Sequence, residues 1–592
     1  MKQITIFLTI CLFVIVFFIP GLSAQTAAQS FELTKISKKY VHVPVKTGAP
    51  KTWVTVNIDG VMQHEFEVEL APENPDFYAT LEVGAWIGKK LTLTVEKVTP
   101  DSKWLTLTKT SNELSDESLV YKEELRPQFH FAPRRGWTND PNGLVFYKGT
   151  YHLFFQHNPY GTGWGNMTWG HATSNDLLHW NEKADAVIPD KNGVVFSGSG
   201  VVDWNNTSEL QTKPLKDKNG KIANPPLVLF HTSTGADRGK GEASQSMNYS
   251  LDEGKTWINY PGNPVIPHLI GGNRDPKVFW YSDKAKDSNP KNGHWVMALY
   301  LDGQDYALFS SANLINWEKV CDIKNVGCSE CPDMFELPVD GNKQNSRWVF
   351  WGGDGKYLIG SFNGKEFTKE SGPFTTKYGG NDYAAQSYSD IPASDGRRIQ
   401  FSWMAGGEYP KMPFNQQFTV PRNLTLRSTP EGIRLFMEPT KELEKLRISK
   451  EADFKTTLQG MESPVKVPAL KGDLLDLEMV FDLKMPATSD TTVVITAEIF
   501  GQKISYNLGN QKIDLGGVKA PLAPVKNQIK LRIITDRTSI ELFANDGIVQ
   551  IAKCFVNKDK VPANMTISGN KDLAEVKLKS WQLKSVWENL KK

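Results

Sequence analysis

The sequence predicts an all-β protein of several domains, and three observations carry that reading. Short stretches rich in Val, Ile, Thr and aromatic residues alternate apolar with polar positions along most of the chain. One Ser–turn–Trp form recurs three times in the middle. Helical patterning is confined to 438–448, where Leu443 and Leu446 sit among charges. At 592 residues the chain exceeds what one core holds, and length alone suggests three or four domains.

Taken in order, residues 1–24 read as an export signal. Lys2 supplies the positive start, an apolar run follows from Ile4 to Ile19, and Gly21-Leu22-Ser23-Ala24 offers small residues for cleavage. The apolar run is slightly short for a membrane anchor, so an exported protein, periplasmic or extracellular, with no stable membrane anchor after cleavage is expected. Residues 25–124 read as a small accessory β domain. Val41-His42-Val43-Pro44-Val45, Trp53-Val54-Thr55-Val56-Asn57 and Leu91-Thr92-Leu93-Thr94-Val95 are its strands, and Pro44 would put the first at a sheet edge.

Residues 125–435 carry the repeats: Ser174-Asn175-Asp176-Leu177-Leu178-His179-Trp180, Ser250-Leu251-Asp252-Glu253-Gly254-Lys255-Thr256-Trp257 and Ser311-Ala312-Asn313-Leu314-Ile315-Asn316-Trp317. Each has Ser, a turn, then Trp opening a strand, and the Trp residues stand 77 and 60 residues apart. Such spacing exceeds the ~40–50 residues usual for a propeller repeat but suits blades with long loops. About 300 residues would make roughly five blades, so a five-bladed β-propeller is expected. A large β-sandwich explains the repeats less well. Residues 436–449 read as a linker helix, and 450–592, where alternation returns in Ile529-Leu531-Ile533 and Ser539-Ile540-Glu541-Leu542-Phe543, as a C-terminal β-sandwich.

Composition narrows the function classes. The 68 basic and 66 acidic residues nearly cancel, so nothing points to nucleic acid or an anionic membrane. The 17 Trp, 17 Tyr and 30 Phe suit stacking on carbohydrate, although aromatic sheet cores have the same composition. Beyond Cys11, four cysteines remain: Cys321, Cys328, Cys331 and Cys554. Zinc takes about four ligands and no second pair matches Cys328-x-x-Cys331, so no metal and no cofactor are expected. A Cys321–Cys328 disulfide is open to an exported protein, with free thiols the preferred reading.

Three acidic segments stand out within the repeat region. In Trp137-Thr138-Asn139-Asp140-Pro141-Asn142-Gly143, proline holds Asp140 extended and Asn-Gly supplies positive φ for a tight turn. Arg274-Asp275-Pro276 repeats the Asp-Pro pairing, with Arg274 expected to keep Asp275 ionised, and Ser329-Glu330-Cys331-Pro332 is the third. Each leads into an apolar strand. Any one alone would more often be a turn residue, but a propeller gathers such loops about one axis. Glycoside hydrolysis needs two carboxyl groups flanking the scissile bond, one ionised and one protonated.

These segments, with Phe155-Gln156-His157-Asn158-Pro159, Met167-Thr168-Trp169-Gly170-His171, Phe196-Ser197-Gly198-Ser199 and Pro421-Arg422-Asn423-Leu424, together resemble glycoside hydrolase family 32, the invertases, inulinases and levanases. The resemblance implies a five-bladed propeller followed by a sandwich, and retaining hydrolysis of β-D-fructofuranosides. Its substrates would be fructose-containing oligo- or polysaccharides, or sucrose. By that match Asp140 is the nucleophile, Glu330 the acid and then the base, and Asp275 the holder of sugar hydroxyls. Asn139, Gln156, Trp164, Phe196, Ser197 and Arg274 fall where the family contacts or shapes the fructose pocket, with Tyr383 and Trp403 in the same shell. Cys331 is expected to tune Glu330.

Two departures bear on specificity. Thr138 stands where the family often has Met. Trp403-Met404-Ala405-Gly406-Gly407-Glu408 lacks the Asn and Trp often found there, which leaves the leaving-group side and chain-length preference unassigned. A sialidase would need an arginine cluster that is not seen, and a fructan-binding protein would be expected to lack one of the three acids. A fructosyltransferase or endo-acting fructanase would share every one of these residues. Exo-action follows the family's majority.

Overall fold

A computed structural model of the chain describes residues 26–587 apart from 116, 219, 236–237, 239, 283–291, 469, 485–488 and 558–563. The expected export signal lies outside the described residues. Among those described, no helix is long and apolar enough to cross a membrane.

Two sheets make the N-terminal unit. One has four strands, edged by Ala27–Leu33 and Val61–Glu69; the other has three. In Lys51–Ile58 alternate residues are buried, so Val54, Val56 and Ile58 enter a core shared with Val41, Val43 and Ala79 of the second sheet. Tyr40–Val45, which Pro44 was expected to place at an edge, is instead the middle strand. One neighbour, Lys109–Ser111, pairs only with Tyr40 to His42, so Pro44 lies past that ladder and needs no donor there.

From Gly136 to Pro439 the chain forms successive four-stranded antiparallel sets, the arrangement of a β-propeller. Their first strands are Gly136–Tyr147, Val194–Val202, Arg274–Tyr281, Asp333–Val339 and Tyr383–Ser387. Val194–Val202 lies against both Gly136–Tyr147 and Arg274–Tyr281, Asp333–Val339 lies against Tyr383–Ser387, and Tyr383–Ser387 returns against Gly136–Tyr147.

The Ser–turn–Trp repeats join third and fourth strands in the first three sets. In each, the Oδ1 of Asp176, Asp252 or Asn313 accepts two backbone N–H groups of its own turn. The side chain thereby does the work of a backbone carbonyl, which is why Asp or Asn occupies that place.

The helix expected over 436–449 is shorter and tighter than that span. Strand Gly432–Pro439 runs into one 3₁₀ segment, Lys441–Leu446, and Arg447–Thr457 is already a strand. Leu443 and Leu446 are buried with Ile534 and Phe543, so the apolar positions serve docking rather than an amphipathic helix. The remainder is a sandwich of two six-stranded sheets over one large core, the first extended by Lys377–Tyr378 of the propeller region, which pairs in parallel with Val549–Cys554.

A buried polar lock ties the sandwich to the propeller's entry. His130 Nδ1 lies 2.8 Å from Asp536 Oδ2, and its Nε2 lies 2.8 Å from Glu541 Oε1. Asp536 also accepts the backbone N–H groups of Gln128 and Phe129. Burial works against a charged imidazole here, but the two carboxylates prevail and push His130 up to about 9.

Candidate active site

Several of the candidate residues sit where the first strands are irregular. Pairing registers shift between Thr138 and Pro141, Val195 and Gly198, Arg274 and Lys277, and Tyr383 and Gln386. A bulge leaves residues out of the ladder and re-aims their side chains. The unpaired residues are thus Asn139 and Asp140 in the first strand, and Phe196 and Ser197 in the second. Asp275 has φ +65°, Glu330 +59°, Cys331 +40° and Ala384 +53°. Left-handed backbone at non-glycine residues costs about 1–3 kcal/mol each and persists where the surroundings enforce it.

Two local expectations change. Asn142-Gly143 forms no tight turn, because strand Gly136–Tyr147 runs through it with a second register shift after Asn142. Gly143 is required all the same: φ is +55°, and a Cβ there would stand 2.5 Å from the Phe154 ring. Asp275, although it precedes proline, is left-handed rather than extended.

The three acids are cross-linked through each other's sequence neighbours. Asp140 accepts from Ser197 Oγ at 2.5 Å and from Asn139 Nδ2 at 3.1 Å. Cys331, next to Glu330, donates its N–H to Asp275 Oδ2 at 2.9 Å. Its Sγ lies 3.5 Å from Asp275 Oδ2 and 3.7 Å from Asp140 Oδ2. Arg274, next to Asp275, reaches Glu330 Oε1 with Nε at 3.2 Å and Nη2 at 2.5 Å. The Tyr383 hydroxyl donates to Glu330 Oε2.

Aromatic residues extend the cluster outward. Trp137 Nε1 donates to Asn139 Oδ1 at 3.0 Å, and its ring meets that of Trp403 at 6.0 Å and 71°. Trp164, 56% exposed, stands 6.1 Å from Phe196 at 65°. Gln156 is 1% exposed, lies on the strand opposite the Asn139–Asp140 bulge, and neither its amide nitrogen nor its oxygen has a protein partner.

Electrostatics separate the acids. Burial raises Asp140, opposed by the hydrogen bonds from Ser197 and Asn139. Asp275 is pushed up to about 7, first by burial and then by the charge of Asp140. The charge of Arg274, with Nε 4.0 Å from Asp275, favours the ionised carboxyl as expected but is outweighed by burial and Asp140, and its Nε and Nη2 donate to Glu330. Cys331 faces the two aspartates rather than Glu330, and burial beside Asp275 raises its thiol well above the usual range. All four described cysteines are free thiols.

The structure joins Asp140, Asp275, Glu330, Asn139, Ser197, Arg274 and Tyr383 by hydrogen bonds, sets Trp403 against Trp137 and Trp164 against Phe196, and leaves Gln156 on the neighbouring strand. Trp137, the aromatic residue of the Asp140 motif, joins them through Asn139 and Trp403. Tyr300, under the Arg274 guanidinium at 4.6 Å, and Thr232, whose Oγ1 accepts the Asp275 N–H at 2.9 Å, were missed and stand in no local motif that could have marked them.

Paired carboxyl groups lined with aromatic rings at a propeller axis define a glycosidase. The description "Glycosyl hydrolases family 32 N-terminal domain" matches residues 130–439, and "Glycosyl hydrolases family 32 C terminal" matches 442–581. A levanase from Bacillus subtilis is 37% identical over 512 residues, covering 80% of this chain and 72% of its own. An extracellular exo-inulinase from Aspergillus niger is 30% identical over 538 residues, covering 79% and 96%. Among solved structures, the exo-inulinase from Aspergillus awamori superposes with TM-score 0.66 at 27% identity, covering 79% of this chain and all (100%) of that one. The chain belongs to glycoside hydrolase family 32 and is a glycoside hydrolase.

Proposed function

We propose that the protein hydrolyses β-D-fructofuranosidic bonds in fructans and sucrose with retention, releasing terminal fructose. The observation that carries this is the cross-linking of Asp140, Asp275 and Glu330 through Cys331 and Arg274. In the first step an Asp140 oxygen attacks the anomeric carbon as Glu330 gives its proton to the leaving oxygen, yielding a covalent fructosyl-enzyme. In the second, Glu330 takes a proton from water, the hydroxide adds to that carbon, and the bond to Asp140 breaks.

Ser197 and Asn139 hold the Asp140 carboxylate in line, and Arg274 with Tyr383 fixes both Glu330 oxygens. Asp275, protonated below about 7, can donate to one sugar hydroxyl as well as accept from another. The unpartnered Gln156 amide offers a further donor and acceptor.

Levanase and exo-inulinase relatives support fructan as substrate, and a fructofuranosidase from Schwanniomyces occidentalis with TM-score 0.66 is complexed with fructosylnystose. Exo-action is supported by the exo-inulinases, and export by their being extracellular. A product time course on sucrose, inulin and levan tests the reading. Fructose is expected as the product released from levan and inulin, and fructose with an equal amount of glucose from sucrose, while a ladder of oligomers would mean endo-action. Asp140→Ala and Glu330→Ala are each expected to lower kcat by at least about 10³-fold with the fold intact; near-normal turnover in either would end the assignment.

A further inference from the structure

Trp164 is carried by Pro159-Tyr160-Gly161-Thr162-Gly163-Trp164-Gly165-Asn166-Met167, the connection between Thr150–Asn158 and Thr168–Ser174. Three glycines surround the tryptophan, so the segment has little stiffness of its own. Its order is imposed at both ends, and both ends grip the N-terminal β domain.

At the first end, Tyr160 is 8% exposed and belongs to that domain's core, stacked on Phe66 at 3.8 Å and 17°. Its hydroxyl lies 3.3 Å from His64 Nε2. At the other end, Asn166 Oδ1 accepts the Glu67 N–H at 2.7 Å while its Nδ2 donates to the Glu67 carbonyl at 2.7 Å. Glu67 lies on Val61–Glu69, an edge strand of the four-stranded sheet, so the asparagine amide stands in for a neighbouring strand.

Between the ends, Asn158 Oδ1 accepts from Asn166 Nδ2 at 2.9 Å, and its own Nδ2 donates to the Gly163 carbonyl at 2.8 Å. Asn415 Nδ2 donates to the Thr162 carbonyl at 2.8 Å. The same domain face takes a second grip on the next strand set, where Arg238 pairs with Glu65 at 3.2 Å and lies 4.4 Å over the Trp53 ring.

We propose that the N-terminal β domain is a specificity element of the glycosidase. By clasping Asn166 and Tyr160 it holds Trp164 beside Phe196 at the rim of the site, where the indole stacks on a sugar ring of the substrate. Asn166 and Tyr160 are positioning residues in this scheme, acting through Trp164. The inference rests on Trp164 being a sugar contact of the proposed site.

The test is a double-mutant cycle on a fructose-containing trisaccharide, in the full chain. Asn166→Gly removes the clasp while allowing the φ of +45° that Asn166 adopts. KM is expected to rise about fivefold to tenfold with kcat within about twofold, the signature of lost binding shared by ground and transition states. In a Trp164→Ala background, Asn166→Gly is expected to change KM by less than about twofold, because the two act through one contact. Asn166→Asp keeps only the bond from the Glu67 N–H and should raise KM less, serving also if Asn166→Gly does not fold.

Unchanged KM in the clasp variants would overturn the proposal, as would the same loss in both backgrounds, which would mean general loosening. If Trp164→Ala leaves KM unaltered while Asp140→Ala is inactive, the inference falls and the catalytic reading stands. Retained activity in Asp140→Ala would remove the catalytic reading itself.

Discussion

Ser197→Ala isolates what sets the working pH of the nucleophile. The Ser197 hydroxyl donates to Asp140 Oδ2 at 2.5 Å, a bond that exists to full strength only with the ionised carboxyl. Burial raises Asp140, and this bond is the largest influence opposing that rise. A hydrogen bond to a charged group contributes about 1.5–3 kcal/mol. Its loss removes that stabilisation of the charged form, so the Asp140 ionisation should move up. Asp140 must be ionised to attack, so the acidic limb of kcat/KM moves to higher pH and the basic limb stays in place. The assay is kcat/KM on sucrose from about pH 3 to 9, which reports free-enzyme ionisations, with unfolding followed alongside. Asn139→Ala should move the same limb by less, since its bond is 3.1 Å. An acidic limb within about 0.3 units of the parent protein's in Ser197→Ala would refute the reasoning, because ionisation of Asp140 would then not govern the limb.

The Cys331 thiol, buried and raised by its surroundings, should resist iodoacetamide in the native protein at pH 8 and react only on unfolding; mass spectrometry of the modified peptide decides it. His130 is raised from 6.5 to about 9 in the fold, so its contribution to stability is complete below pH 6.5 and disappears as pH rises through 9. That shift corresponds to roughly 3 kcal/mol, and the thermal midpoint should fall between pH 7 and about 9.5, with the dependence reduced in His130→Gln. A midpoint that is flat across that interval would exclude a charged His130. Gly143→Ala places a Cβ 2.5 Å from the Phe154 ring at φ +55° and should lower the thermal midpoint by several degrees or prevent soluble expression; an unchanged midpoint would contradict that geometry.

Alternation of β-branched and aromatic residues made the sheets legible, because burial on one face of a strand writes itself into period two. The Ser–turn–Trp repeats were legible because one side-chain oxygen must cap the same turn in each set. The acids were legible from short motifs, since their irregular backbone demands particular neighbours. What could not be read was register. Whether Asn-Gly makes a turn or a bulge depends on the Phe154 ring packed beneath it, a residue of the next strand. The second partner of Arg274 is hidden for a related reason: adjacency in sequence points to Asp275, whereas Nε and Nη2 of the guanidinium donate to Glu330, 56 residues on. The 3₁₀ segment at Lys441–Leu446 looked helical because two leucines are docked, and docking leaves the same trace as amphipathic helix. Thr232 and Tyr300 contribute through space alone.

The placing of Asn139, Asp140, Phe196, Ser197 and Asp275 on bulges rather than on regular ladder positions has an evolutionary corollary. A ladder residue answers to two neighbours, and replacing it disturbs the stacking of a whole sheet. A bulged residue belongs to no pair, so its side chain can change while the strands on either side keep their register. Residues such as Phe196 and Asn139 can therefore vary at little cost to the scaffold. Selection on what the site accepts and selection on whether the chain folds then act on largely separate sets of positions.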